Sequence, residues 1–232
     1  MDTALITGGS KGFGLALAES LVADGWSVVI DGRNRDALDE AVDRLRGMST
    51  GQPVRGIVGD VADPNHRDEL VRAVGDDLDL LVNNASTLGP SPQPSVAEYP
   101  LAEYRRVLDV NVLAPLALVQ MVLPVLRRRR GTLVDVTSDA AVEGYAGWGG
   151  YGSSKAALEQ LSNVLAAEEA DVHVYWFDPG DMRTEMHQAA FPGEDISDRP
   201  LPETVVPALR RLLSTSPASG RYRAADLMAV RP

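Results

Sequence analysis

The chain of 232 residues contains no cysteine. That excludes disulfides, a thiolate nucleophile and sulfur-ligated metals, and it is compatible with the cytoplasm, the compartment expected here. Histidine is almost as scarce. His66, His173 and His187 stand far apart and show no ligand spacing, so no metal site is expected. Long apolar runs are missing too, because Pro115, Pro124 and the arginines at 127–130 cut the longest one, and no membrane span is expected. Positive charge is in deficit: 22 Lys and Arg face 33 Asp and Glu, for a net charge of −11. That balance favours solubility and argues against nucleic acid as a partner. The arginine run then reads as cations matched to the dipole at a helix carboxyl end. The first residues enter a strand directly, and no cleavable leader is expected.

What is present is an ordinary globular composition, 44% apolar, and a length that suits one large α/β domain spanning 1–232. Apolar runs predict strands over 3–7, 27–31, 54–58, 78–82, 132–136, 172–177 and 222–230. Helical periodicity predicts helices from about Leu15, over 35–46, after Asp63-Pro64, over 101–130, from the Tyr151 region to about Ala170, and over 201–213. The long helix over 101–130 is interrupted by Asn111 and Pro115, which predicts a kink near Asn111. Alternation of this kind predicts a Rossmann-type α/β fold, a doubly wound parallel sheet of about seven strands with helices on both faces. Residues 185–200 lack periodicity and contain Phe191-Pro192-Gly193, which predicts a short lid over a pocket.

The chemistry-bearing residues fall at strand ends. The first strand runs into Gly8, Gly9, Ser10, Lys11, Gly12, Phe13 and Gly14, and a helix follows. Backbone N–H groups and the positive helix end would there meet a pyrophosphate. The spacing is G-x-x-x-G-x-G rather than G-x-G-x-x-G, so the commoner dinucleotide fingerprint does not apply. After the second strand come Arg33 and Asn34, where an adenine ribose arrives in such sheets. Arg33 and Lys11 suit a 2′-phosphate, pointing to NADP(H) over NAD(H), while Asp31 adds opposing charge. Asp60, beside Val61, is either an acceptor for an adenine amino group or a carboxylate that orders its own loop. Asn83, Asn84 and Ala85 end the fourth strand, with amides able to tie neighbouring strand ends together. Pro179, Gly180, Met182 and Thr184 follow the sixth.

Tyr151 and Lys155 lie four apart at the start of a helical pattern, which puts phenol and ammonium on one face. A fixed cation beside a phenol lowers its pKa and makes proton transfer practical near neutrality. Ser138, at the end of the strand over 132–136, can bring a hydroxyl to the same place.

Together these residues resemble the short-chain dehydrogenase/reductase family, in its compact single-domain branch, over roughly residues 3–184. The glycine turn, Asp60, Asn83-Asn84-Ala85, Asn111, Ser138, Tyr151 with Lys155, and Pro179-Gly180 through Thr184 match its signatures in order. The resemblance implies that Tyr151 is the general acid, that Lys155 lowers its pKa and holds the nicotinamide ribose, and that Ser138 orients the carbonyl oxygen. It implies that Asn111 supports a proton-relay water, that Asp60, Val61 and Asn84 contact adenosine, and that Met182 and Thr184 lie near the carboxamide. It also implies a homodimer or homotetramer built on helix faces near 101–126 and 151–169. Two departures stand out: Ser86 replaces a glycine usual after Asn-Asn-Ala, and the short segment after Thr184 leaves the pocket open or completed by another subunit. Ala140, Tyr145, Trp148, Met186 and Phe191 are expected to wall a largely apolar pocket for a small carbonyl or alcohol substrate. Two other functions use the same fold: a catalytically silent nicotinamide-binding regulator, and non-redox chemistry such as dehydration or cyclisation.

Overall fold

A computed structural model describes residues 2–229. Seven parallel strands form one sheet in the order β3-β2-β1-β4-β5-β6-β7. They are β1 (Thr3–Ile6), β2 (Ser27–Gly32), β3 (Val54–Val58), β4 (Leu80–Asn83), β5 (Thr132–Val136), β6 (His173–Asp178) and β7 (Gly220–Arg223). The helices are α1 (Gly12–Ala23), α2 (Arg35–Met48), α3 (Pro64–Val74), α4 (Leu101–Leu108), α5 (Ala114–Arg129), α6 (Gly149–Glu168), α7 (Glu185–Ala190), α8 (Pro202–Thr215) and α9 (Ala224–Ala229). The predicted doubly wound sheet is borne out.

The central strands read as unbroken apolar runs because both of their faces are covered. In β1, Ala4 and Ile6 face a core shared with Leu17 and Leu21 of α1, Leu45 of α2 and Leu209 of α8. Leu5 faces the other way, into a core with Leu70 of α3 and Leu118, Val122 and Leu126 of α5. Each face buries its own helical layer, and parallel pairing throughout sends the carboxyl ends of all seven strands to one edge.

Several boundaries differ from the sequence reading. Helix α1 opens at Gly12 rather than near Leu15, so part of the glycine turn is already helical. The expected long helix is two helices joined by a π turn, Asp109–Leu113, and this is the interruption that Asn111 signalled. Pro115 directly follows this π turn, where the regular helical hydrogen-bond ladder is already interrupted. The segment from 101 to 129 is long and apolar enough to cross a bilayer, with mean hydropathy 1.8, but half of that window is buried inside the molecule. Packing of α5 against the sheet accounts for that apolarity. Residues 185–200 are not wholly irregular, since α7 opens there on a Thr184 cap. The last strand is shorter than expected: β7 ends at Arg223 and α9 follows, while Val230 lies outside the described residues.

Candidate active site

The glycine turn is held from below. Thr7 Oγ1 accepts the N–H groups of Asn84 and Ala85, both at 3.0 Å, and Asn84 Nδ2 donates to the carbonyls of Thr7 and Gly8. These bonds bring the ends of β1 and β4 together. Gly8 has φ +66°, and a Cβ there would stand 2.9 Å from the Ala85 backbone. A Cβ on Gly14 would stand 2.6 Å from the Gly8 carbonyl, so Gly14 serves packing of the turn and does not itself line the cavity above it.

Asp31 borders the same cavity as Arg33 and Lys11, and its carboxylate is engaged within the protein. It is 1% exposed; its Oδ1 accepts the Gly8 N–H at 2.6 Å and its Oδ2 lies 2.9 Å from His66 Nε2. Asp31 thus pins the turn to α3. His66 escaped sequence reasoning because only folding brings it there, although Gly59 leaves the space: a Cβ would stand 2.1 Å from its ring.

A basic rim surrounds the β2 end. Arg33 is exposed, Lys11 pairs with Glu185 at the start of α7, and Arg44 of α2 pairs with Glu19. Arg44 was not anticipated. Asn34 caps α2, accepting the Ala37 N–H at 3.0 Å. Asp60 accepts the Ala62 N–H at 2.9 Å and the Arg106 guanidinium of α4. Burial pushes its carboxyl up, but the Ala62 N–H, Arg106 and Arg33 outweigh that and hold it below its usual range. In this arrangement Asp60 orders its own loop, with Val61 packed on Val110 and Ala114 beside it.

At the far end of the same edge, Tyr151 and Lys155 of α6 are both buried, 7% and 2% exposed. Ser138 lines the same end of the cavity as Tyr151, and its hydroxyl donates to Asp139 Oδ1 at 2.9 Å. Lys155 Nζ donates to the Val136 carbonyl at 2.7 Å and lies 5.6 Å from the Tyr151 ring centroid. Burial drives the lysine down to about 8, against the pull of Asp135 and Glu159. Burial also holds the Tyr151 phenol well above its ordinary value; the neighbouring Ser138 hydroxyl opposes this, and Asp178 and Asp139 add to it. The expectation that Lys155 lowers the phenol's pKa is therefore not realised in this arrangement. Desolvation dominates, and the ammonium is turned to a backbone carbonyl.

Asn111 is fully buried but does not reach the phenol or the ammonium. Its Nδ2 donates to the Thr87 carbonyl and to Ser154 Oγ, both at 2.9 Å. Its Oδ1 accepts from Ser86 and from the Thr87 N–H. The amide is saturated, so its side chain positions the loop after β4 against α6. Arg221 of β7 is another residue that the sequence did not single out. It donates to the Ser138 carbonyl, Asp178 and Glu159, at 3.2, 3.0 and 2.9 Å. Arg221 lies 83 residues from Ser138 and carried no motif.

These groups border one cavity of about 800 Å³ that runs from the glycine turn and Arg33 to Ser138, Tyr151 and Lys155. Pro179, Gly180, Met182 and Thr184 line it, as do Trp148 and Met186. Three expected wall residues do not. Ala140 is packed beneath, against Leu88 and Tyr151. Tyr145 is exposed and donates to Asp139 Oδ2 at 2.9 Å. Phe191 backs Trp148, with ring centroids 5.8 Å apart. The wall is also less apolar than expected, since Asp139, Asp181 and His187 belong to it. A buried phenol, a hydroxyl and an ammonium at one end of a long groove can hold an oxygen and exchange a proton with it.

Comparison with known proteins adds an independent line. A family model described as short chain dehydrogenase matches residues 2–195. Serine 3-dehydrogenase of Agrobacterium fabrum is 35% identical over 189 residues, covering 79% of this chain and 73% of that protein. A Shigella flexneri short chain dehydrogenase solved in complex with NADP superposes with a TM-score of 0.89 at 28% identity, covering 97% of each chain. One from Escherichia coli in complex with NADPH gives 0.88 at 29% identity, covering 96% of each.

Proposed function

This chain belongs to the short-chain dehydrogenase/reductase family, and from that premise we propose that it is an NADP(H)-dependent oxidoreductase acting on a carbonyl/alcohol pair, with Tyr151 as general acid and base. The observation that carries the reading is that Ser138, Tyr151 and Lys155 line one end of the cavity whose other end is the glycine turn.

The cavity fits a dinucleotide. Gly8 and Gly12 take positive φ, and the absence of side chains there opens the start of α1 to a pyrophosphate. Arg33, with Lys11 and Arg44, presents cations to a 2′-phosphate, which supports NADP(H) over NAD(H), as do the NADP and NADPH complexes of two structural relatives. When bound, the nicotinamide supplies or accepts the hydride. Lys155 uses one of its three donors on Val136, which leaves the others for ribose hydroxyls.

In reduction the Ser138 hydroxyl turns from Asp139 to donate to the carbonyl oxygen, and Tyr151 gives that oxygen a proton. A phenol whose pKa is held high by burial is protonated at neutral pH and ready for that role. In oxidation the proton returns by the same route. Asn111, Arg221 and the Asp31–His66 pair position these groups without touching the reacting atoms. Residues 185–200, with α7, act as the lid of a single domain, and a homo-oligomer forms through the outer faces of α4 to α6, where Leu113 and Val164 are exposed.

The test is NADPH oxidation against a panel of ketones. Tyr151→Phe is expected to lower kcat by about a thousandfold while NADPH binding stays within about twofold. Turnover unaffected by the substitution would sink the role of Tyr151, and no turnover with any carbonyl would favour the regulatory or non-redox readings.

A further inference from the structure

Asp139 is a carboxylate at the reactive end of the cavity that the chemistry above does not use. It follows Ser138 directly, lines the cavity and is exposed to it. Its Oδ1 accepts the Ser138 hydroxyl and its Oδ2 accepts the Tyr145 hydroxyl, both at 2.9 Å. Each oxygen keeps a lone pair for a further donor.

Three other carboxylates on this wall have cations. Asp178 is paired with Arg221 at 3.0 Å, Glu185 with Lys11, and Asp181 lies 3.7 Å from both Arg199 and His187. Among the described residues Asp139 forms no ion pair; its two partners are neutral hydroxyls. The closest buried cation, Lys155, is turned to the Val136 carbonyl. Arg183, also on this wall, donates to the Ser197 carbonyl.

Aromatic rings continue from this carboxylate to the phenol. Tyr145 meets Trp148 edge-on with centroids 6.1 Å apart, and Trp148 meets Tyr151 in the same way at 5.8 Å. Ring faces and an unpaired carboxylate together favour an organic cation and disfavour an anion.

We propose that Asp139 selects substrates bearing an ammonium group on the carbon next to the carbinol or carbonyl carbon, that is, 1,2-amino alcohols and the matching amino ketones. The proposal rests on the oxidoreductase reading. The substrate oxygen lies on Ser138 Oγ, and Asp139 Oδ1 is 2.9 Å from that atom. The nitrogen of a 1,2-amino alcohol stands about as far from its own oxygen. One molecule can therefore engage the hydroxyl and the carboxylate together, and its ammonium supplies the charge that Asp139 lacks.

The test is calorimetric binding to the NADP⁺-loaded protein of three probes sharing one skeleton. They are 2-amino-1-phenylethanol, its neutral isostere 1-phenylpropan-1-ol, and the acid 3-hydroxy-3-phenylpropanoate. The wild type is expected to bind the amine about tenfold or more tightly than the isostere, as a charge-assisted hydrogen bond warrants, and the acid most weakly. In Asp139→Asn the ratio of amine to isostere is expected to fall to within about twofold. Equal binding of amine and isostere by the wild type, no binding of the amine, or a preference that survives the substitution overturns the proposal. The wild-type ranking decides by itself should the variant fail to fold. Initial rates with the same probes are read separately: absence of turnover with all of them counts against the oxidoreductase reading, whereas the binding order judges Asp139.

Discussion

Lys155 is a charge that folding buries with one protein hydrogen bond, and that has a consequence for stability. In the unfolded chain it titrates near 10.5; in the folded, cofactor-free protein it titrates at about 8. Below pH 8 both states carry the proton, and the buried ammonium destabilises the fold in full. Between pH 8 and 10 the folded protein has released a proton that the unfolded chain still holds, so stability rises with pH. The full shift corresponds to about 3 kcal/mol. Above pH 10 the phenol of Tyr151 works the other way, because burial keeps it protonated while the unfolded tyrosine ionises. Lys155→Met is therefore expected to be more stable than the wild type at pH 7, and the difference should shrink steadily by pH 9.5. Urea unfolding at several pH values checks this; a difference independent of pH would show that the lysine is not depressed.

At the level of elements, the segment proposed as a lid is tied to the glycine turn by an ion pair. Helix α7 begins at Glu185, and Glu185 pairs with Lys11 at the head of α1. In the proposed function Lys11 also serves the 2′-phosphate, so carboxylate and phosphate compete for one cation. Both side chains are exposed, which limits the effect to what a solvated pair can give. Glu185→Gln is expected to tighten NADPH binding by about two- to threefold and leave NADH unchanged, as measured by fluorescence titration. Equal changes for both cofactors would place Lys11 away from the 2′-phosphate. The π turn between α4 and α5 illustrates the same dependence between elements. It brings Asn111 to Thr87 and Ser154, so the loop after β4, the helix pair and α6 are held by one saturated amide.

For the whole molecule, a ligand that binds only the folded chain stabilises it by mass action, about 2.7 kcal/mol at a hundred times its Kd. At this chain length NADPH at that level is expected to raise Tm by roughly 5–10 °C, in one transition if the chain is one domain. NADH at the same concentration should raise it less, and Arg33→Ala should narrow the gap; equal shifts in the wild type would refute the cofactor preference. The parallel sheet was readable from sequence because its signals are local. Apolar runs such as Ala4-Leu5-Ile6, the glycine spacing over 8–14 and the Asp63-Pro64 helix start each act over a few residues. Tyr151 and Lys155 were legible for the same reason, being one helical turn apart. Tertiary structure alone decided that Arg221 braces Ser138, that His66 meets Asp31, that Asn111 is saturated away from the phenol, and that Asp139 stands in the cavity without a cation. It also reversed the expected direction of the Tyr151 pKa. These outcomes depend on desolvation and on contacts between residues distant in the chain, and no local period encodes either.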